Sequence, residues 1–122
     1  YEQNKLLAMT EETVLGLLAD IPDGEGKEYT IENDDEEVGL FVVRQGNGFY
    51  GYVNYCPHAG TPLNWEGDRF MTLDKKHILC ATHGATFNIH DGVCVSGPCV
   101  GDWLAPLNLR LDDGVLVLIH PE

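Results

Sequence analysis

The chain has 122 residues, 43% of them hydrophobic, with 14 glycines, 6 prolines and 4 cysteines. That length suits one domain, residues 1–122, with a core of its own and leaves no room for two ordinary ones. Seven basic against twenty acidic side chains give a formal net charge of −13, a field that repels phosphate backbones and anionic lipid and so speaks against nucleic-acid and membrane-surface binding. No apolar run nears the ~18 residues of a membrane span, and four cysteines are too few for a disulfide scaffold of this size.

In chain order, residues 1–10 carry one Lys and no long apolar core, so they read as an N-terminal tail and not as a signal peptide. Residues 11–20 place Val14, Leu17 and Leu18 at helical spacing, and periodicity alone leaves helix and strand both open. A Pro/Gly-rich loop at 21–26 leads into a strand at 27–32 and then a solvated acidic turn at 33–37. Apolar runs at 40–44 and 49–55 flank Gly46-Asn47-Gly48, a hairpin signal. Residues 77–80 and 85–89 read as short strands, and His90-Asp91-Gly92 turns into Val93-Cys94-Val95. A second hairpin joins 107–111 to 115–119 through Asp112-Asp113-Gly114. Short strands separated by Gly-bearing turns predict an all-β chain, a sandwich or small barrel.

Two stretches carry the chemistry: Cys56-Pro57-His58-Ala59-Gly60 and Cys80-Ala81-Thr82-His83-Gly84. Each sets a thiol and an imidazole two or three positions apart in a loop after a β run, so two thiolates and two imidazoles can converge. Three readings compete. A structural zinc site takes Cys₂His₂ ligands, but its usual spacing groups Cys with Cys and His with His. Buried small thiols and hydrogen-bonded histidines would explain one such pair more readily than two. A two-iron cluster, with two Cys on one iron and two His on the other, fits mixed loops directly, because each loop then gives one ligand to each iron.

These two motifs, with Gly97-Pro98 further on, resemble the Rieske [2Fe–2S] proteins, and most nearly the soluble bacterial Rieske-type ferredoxins, over about residues 14–119. The resemblance implies a Rieske fold: stacked antiparallel sheets with an inserted cluster-binding subdomain at about 54–100. It also implies a strand at 14–19 in place of the helix that spacing allows. Carried over, Cys56 and Cys80 hold the inner iron, His58 and His83 hold the outer iron near the surface, and Gly97-Pro98 shields the cluster from a third side. Trp65 and Trp103 are read as packing residues, and His77, His90 and His120 as surface residues outside the ligand set.

The departures carry information. Rieske proteins of the respiratory complexes have an extra Cys in each loop, paired in a disulfide, where this chain has Thr61 and Thr82. They also have Ser and Tyr donors after the second His, where this chain has Ala85 and Phe87. Lost donors leave the more negative reduced cluster less stabilised, which implies a low potential. Twenty-one residues separate His58 from Cys80, so residues 68–76 are expected to form an elongated hairpin. Cys94 and Cys99 fall outside the motif, and the sequence leaves open whether they are two thiols or a disulfide.

The implied function is one-electron transfer through one [2Fe–2S] cluster per chain. The electron comes from a flavin- or ferredoxin-type reductase and goes to a terminal oxygenase, and the carrier is not itself an enzyme. The expected location is the cytoplasm. The alternatives are a redox-sensing protein and a regulatory subunit resembling the nitrite reductase small subunit; some members of that group keep the fold without the cluster, and the four ligand residues here count against it.

Overall fold

The computed structural model describes residues 10–33, 36–57, 61–64, 67–81 and 84–121. Nine strands among them form three antiparallel sheets. β1 (Thr10–Leu17) belongs to the sheet β1–β9–β8, with β8 at Leu109–Asp112 and β9 at Val115–Pro121. β2 (Gly26–Asn33), β3 (Glu36–Gln45) and β4 (Gly48–Val53) form a meander in that order. β5 (His77–Leu79), β6 (Thr86–Asn88) and β7 (Cys94–Ser96) form another. The expected all-β architecture of antiparallel sheets is the observed one.

The central strand explains the stacking. Leu40, Phe41, Val42 and Val43 are consecutive on β3 and each is at most 1% exposed. Successive strand side chains point to opposite faces, so a continuous buried run requires cover on both sides. Phe41 and Val43 enter one apolar cluster with Tyr52, Leu63, Phe70, Ile78, Phe87 and Leu104. Val42 enters a second cluster with Ile21 and Leu116, against which Leu15, Tyr29 and Leu109 pack. The β2–β3–β4 sheet therefore presents one face to the terminal sheet and the other to the part of the chain that carries both Cys-His motifs.

Two boundaries differ from the expectation. Residues 11–20, which spacing left open, form the strand that the resemblance implied: β1 pairs with β9 from Thr10↔Pro121 to Leu17↔Val115, and one 3₁₀ turn, Leu18–Asp20, follows. The strand also stops short of Ala19, because Leu18 N–H donates to the Gly114 carbonyl and Ile21 N–H closes back on the Leu18 carbonyl. The acidic turn is narrower than 33–37, since Asn33 already pairs with Glu36; Asp34 and Asp35 lie outside the described residues.

The hairpin expected at 68–76 is present. Thr72 N–H donates to the His77 carbonyl, Met71 bridges Ile78, and Leu79 N–H returns to the Phe70 carbonyl. It is tied back to the meander by the Lys75–Glu25 ion pair and by Asp68, whose carboxylate accepts the Glu28 N–H at 2.7 Å. Phe70 at its base stacks on Phe41, with ring centroids 4.4 Å apart and planes 6° from parallel. A second tie is Tyr52 on β4, whose hydroxyl donates to the Ile89 carbonyl at 2.7 Å beyond β6. Tyr52 also lies flat against Gly92, where a Cβ would come within 2.7 Å of the ring. Burial, the carboxylate of Asp91 and the neighbouring Tyr50 push the Tyr52 phenol up to about 12, so it remains a donor at any ordinary pH.

Candidate metal centre

Cys56 follows β4 and Cys80 follows β5, so each thiol is carried on a loop leaving a strand end. The two loops close in the same way. Cys56 N–H donates to the Thr61 carbonyl at 2.8 Å, and Cys80 N–H donates to the Ala85 carbonyl at 2.8 Å. Each bond spans five positions, so the two stretches are closed by the same backbone contact. Cys56 and Cys80 are 1% and 0% exposed and share one apolar cluster with Leu63, Ala85, Phe87, Cys94 and Cys99. His58 and His83, like Trp65, Glu66 and Thr82, lie outside the described residues.

The loops are also joined to each other and to the meander. Ala81 N–H, next to Cys80, donates to the Leu63 carbonyl at 2.9 Å. The Leu63 N–H in turn donates to the side-chain oxygen of Asn54 at 2.8 Å, in a fully buried position. Asn54 is the one buried polar side chain among the described residues, 7% exposed. Its amide nitrogen donates to Asn64 Oδ1 at 2.8 Å and to Glu28 Oε2 at 3.4 Å. Its own N–H donates to the Gly39 carbonyl on β3. Asn54 thus fixes the return leg of the first loop, and through Leu63 the start of the second. Sequence reasoning missed it; a polar residue at a strand end two places before Cys56 was the available signal.

The turn after β7 covers the second loop. Gly97 has φ +104°, and a Cβ on it would stand 2.7 Å from the Cα of Ala85, so only glycine lets this turn lie so close. Beneath it Cys94 and Cys99, 1% and 3% exposed, face each other, Cys99 Sγ donating to Cys94 Sγ at 3.0 Å and Cys94 Sγ to the Ser96 carbonyl at 3.3 Å. Burial, the bond to Cys94 and the fields of Cys94, Cys56 and Asp102 push the Cys99 thiol up to about 12. Both are unbridged. Ala85 and Phe87, at the positions of the missing hydroxyl donors, are 1% and 0% exposed.

The remaining expectations divide. Trp103 is not a core residue: its backbone bridges Val93, but the indole is 62% exposed. His90 is exposed and lies 3.5 Å from Asp91, whereas His77 is half-buried on β5. The His120 side chain is outside the described ones. Among the described residues no three His, Cys, Asp or Glu side chains gather to hold a metal, and the two buried thiols are what the described part of the site offers. Soft sulfur donors in shared apolar surroundings suit iron–sulfur ligation, so the residues present fit a cluster.

A sequence profile of the Rieske [2Fe–2S] domain matches residues 11–110. The chain is 30% identical over 114 residues to the cytochrome b6-f complex iron-sulfur subunit of Chlorobaculum tepidum, covering 93% of this chain and 56% of that protein. It thus spans little more than half the length of that relative. Among solved structures, the ferredoxin of carbazole 1,9a-dioxygenase from Nocardioides aromaticivorans IC177 superposes with a TM-score of 0.67 at 22% identity, over 91% of this chain and 98% of that one. The terminal oxygenase of carbazole 1,9a-dioxygenase from Novosphingobium sp. KA1 superposes with a TM-score of 0.71 at 18% identity, over 92% of this chain and 30% of that one. Matching loops with buried thiols, the stacked sheets and the profile over most of its length agree: the chain belongs to the Rieske [2Fe–2S] domain family.

Proposed function

We propose that this chain is a one-electron carrier, with Cys56 and Cys80 holding the inner iron and His58 and His83 the outer iron of one [2Fe–2S] cluster. The observation that carries the reading is the pair of matching loops, each closed by a Cys N–H bond five residues on and each bearing a buried sulfur. When bound, the cluster supplies a one-electron couple. The protein's part is to exclude water from the sulfur side through Leu63, Phe87 and the Gly97 turn, and to hold both loops in register through Asn54. The apolar Ala85 and Phe87 offer no hydroxyl to stabilise added negative charge, which favours a low potential.

The electron source is a flavin- or ferredoxin-type reductase and the acceptor a terminal oxygenase. Support comes from superposition on a ferredoxin solved in complex with the oxygenase of carbazole 1,9a-dioxygenase, at a TM-score of 0.69 and 22% identity. The chain acts as one domain, with residues 54–100 as its cluster-binding part. No helix among the described residues is long and apolar enough to cross a membrane. We place the carrier in the cytoplasm, with Cys94 and Cys99 reduced at rest, because a low-potential couple needs reducing partners. Iron and acid-labile sulfide analysis, with electron paramagnetic resonance of the reduced protein, tests the reading. Two irons and two sulfides with the Rieske signal are expected, and His83→Cys should lose that signal. One zinc and no sulfide would overturn it.

A further inference from the structure

The Cys94–Cys99 pair is unused by the electron-carrier reading. The two sulfurs are five positions apart in sequence and 3.0 Å apart in space. They are held there by backbone bonds on either side, with Cys94 N–H on the Asp102 carbonyl, Gly101 N–H on the Cys94 carbonyl and Asp102 N–H on the Cys99 carbonyl. The side chains are buried, yet Ser96, Gly97 and Pro98 above them are exposed, so a thin turn separates the sulfurs from water. That turn presses on Ala85, the residue whose carbonyl closes the Cys80 loop.

We propose that Cys94 and Cys99 are an oxidisable dithiol which hydrogen peroxide converts to a disulfide, closing the Gly97-Pro98 turn where it lies against the Cys80 loop. The sulfur of Cys94, which receives the Cys99 hydrogen bond, attacks one peroxide oxygen. The O–O bond breaks, and the departing hydroxide takes up the Cys94 proton as water, leaving a sulfenic acid. The Cys99 sulfur then attacks the sulfenic sulfur. The S–O bond breaks, a second water leaves with the Cys99 proton, and the S–S bond forms. Two thiols have lost two electrons and two protons, and one peroxide has become two waters. A reducing dithiol reverses the change by exchange. This bridge joins residues on one turn, whereas the respiratory-branch disulfide corresponds to Thr61 and Thr82.

The cross-link concerns the polypeptide alone; only its effect on cluster retention rests on the proposed ligand set. The test exposes purified cluster-loaded protein to hydrogen peroxide without oxygen, alkylates it in denaturant and maps the peptides unreduced. The peptide holding both residues should be lighter by two hydrogens, unalkylated at both sulfurs, and restored by dithiothreitol. Full alkylation of both, sulfinic acid at either, or a bridge to Cys56 or Cys80 overturns the proposal. Cys99→Ser should stop at a Cys94 sulfenic acid that dimedone traps; the wild-type map decides the matter even where that variant does not fold. In the bridged protein a chelator should remove iron several-fold more slowly than in the reduced protein, and equal rates overturn this effect of the closed turn on the loop beneath it while leaving the cross-link to be judged by its mass.

Discussion

Replacing Asn54 with Ala removes the oxygen that accepts the Leu63 N–H at 2.8 Å in a position sealed from water. A buried donor left without a partner costs about 1–3 kcal/mol, and the bond to Asn64 at 2.8 Å contributes about 1 kcal/mol more. The contact with Glu28 is long, at 3.4 Å, and adds little. The expected loss is about 2–4 kcal/mol, a fall of about 8–15 °C in melting temperature for a chain of this size. Because Leu63 also accepts the Ala81 N–H beside Cys80, both loops of the proposed ligand set loosen, and iron release to a chelator should accelerate along with the loss of stability. Asn54→Asp sharpens the test. It keeps the acceptor for Leu63 but sets a carboxylate against Glu28 and the Asn64 oxygen, so it should be weaker than the parent at neutral pH and recover as acid protonates the pair. Circular-dichroism melts and chelator kinetics on the three proteins decide. A melting temperature for Asn54→Ala within 2 °C of the parent, on the scale used above, or a destabilised protein that releases iron at the parental rate, would refute the reasoning.

Voltammetry of the parent should give a potential near the lower end of the Rieske range, about −150 mV. Ala85→Ser, by adding a donor beside the Cys80 loop, should raise it by about 60 mV if the new bond favours the reduced form by about 1.4 kcal/mol. Tyr52→Phe should cost about 1 kcal/mol through loss of the bond to Ile89. The folded phenol sits near 12, above its ordinary 10, so Tyr52's contribution is full below pH 10 and is lost between about 10 and 12; denaturant melts of parent and variant should therefore converge over that window. Stopped-flow electron transfer to a basic partner should slow as salt approaches ~0.15 M, where the screening length is about 8 Å, given the net charge of −13.

What could be read from the sequence was what local pattern encodes. Gly46-Asn47-Gly48 and Asp112-Asp113-Gly114 marked their hairpins because turn chemistry resides in the turn residues themselves. The Cys56-x-His58 and Cys80-x-x-His83 stretches could be singled out because residue types and their spacing are written consecutively. Residues 11–20 were ambiguous because β1 is held by β9, which lies at the other end of the chain, and helical spacing carries no information about a distant edge. Asn54 went unseen for the same reason: its partners Glu28, Leu63 and Asn64 are contributed by other segments. Of the core or loop packing expected for Trp103, the core part fails, because large aromatic residues are usually covered and nothing local says that its neighbours leave this one open.

The order of strands bears on how the protein is made. β2–β3–β4 and β5–β6–β7 are each a meander whose neighbours in space are neighbours in sequence, so both can form early at small loop-closure cost. The first meander ends at the Cys56 loop, and the Cys80 loop joins the first two strands of the second. Each half of the proposed ligand set thus has its own local scaffold, and the two meet where Leu63 receives the Ala81 N–H. The β1–β9 pairing joins residue 10 to residue 121 and so waits until residue 121 has been synthesised. On the proposed ligand set, the two Cys-bearing parts of the site can thus take shape before β1 and β9 have closed the terminal sheet.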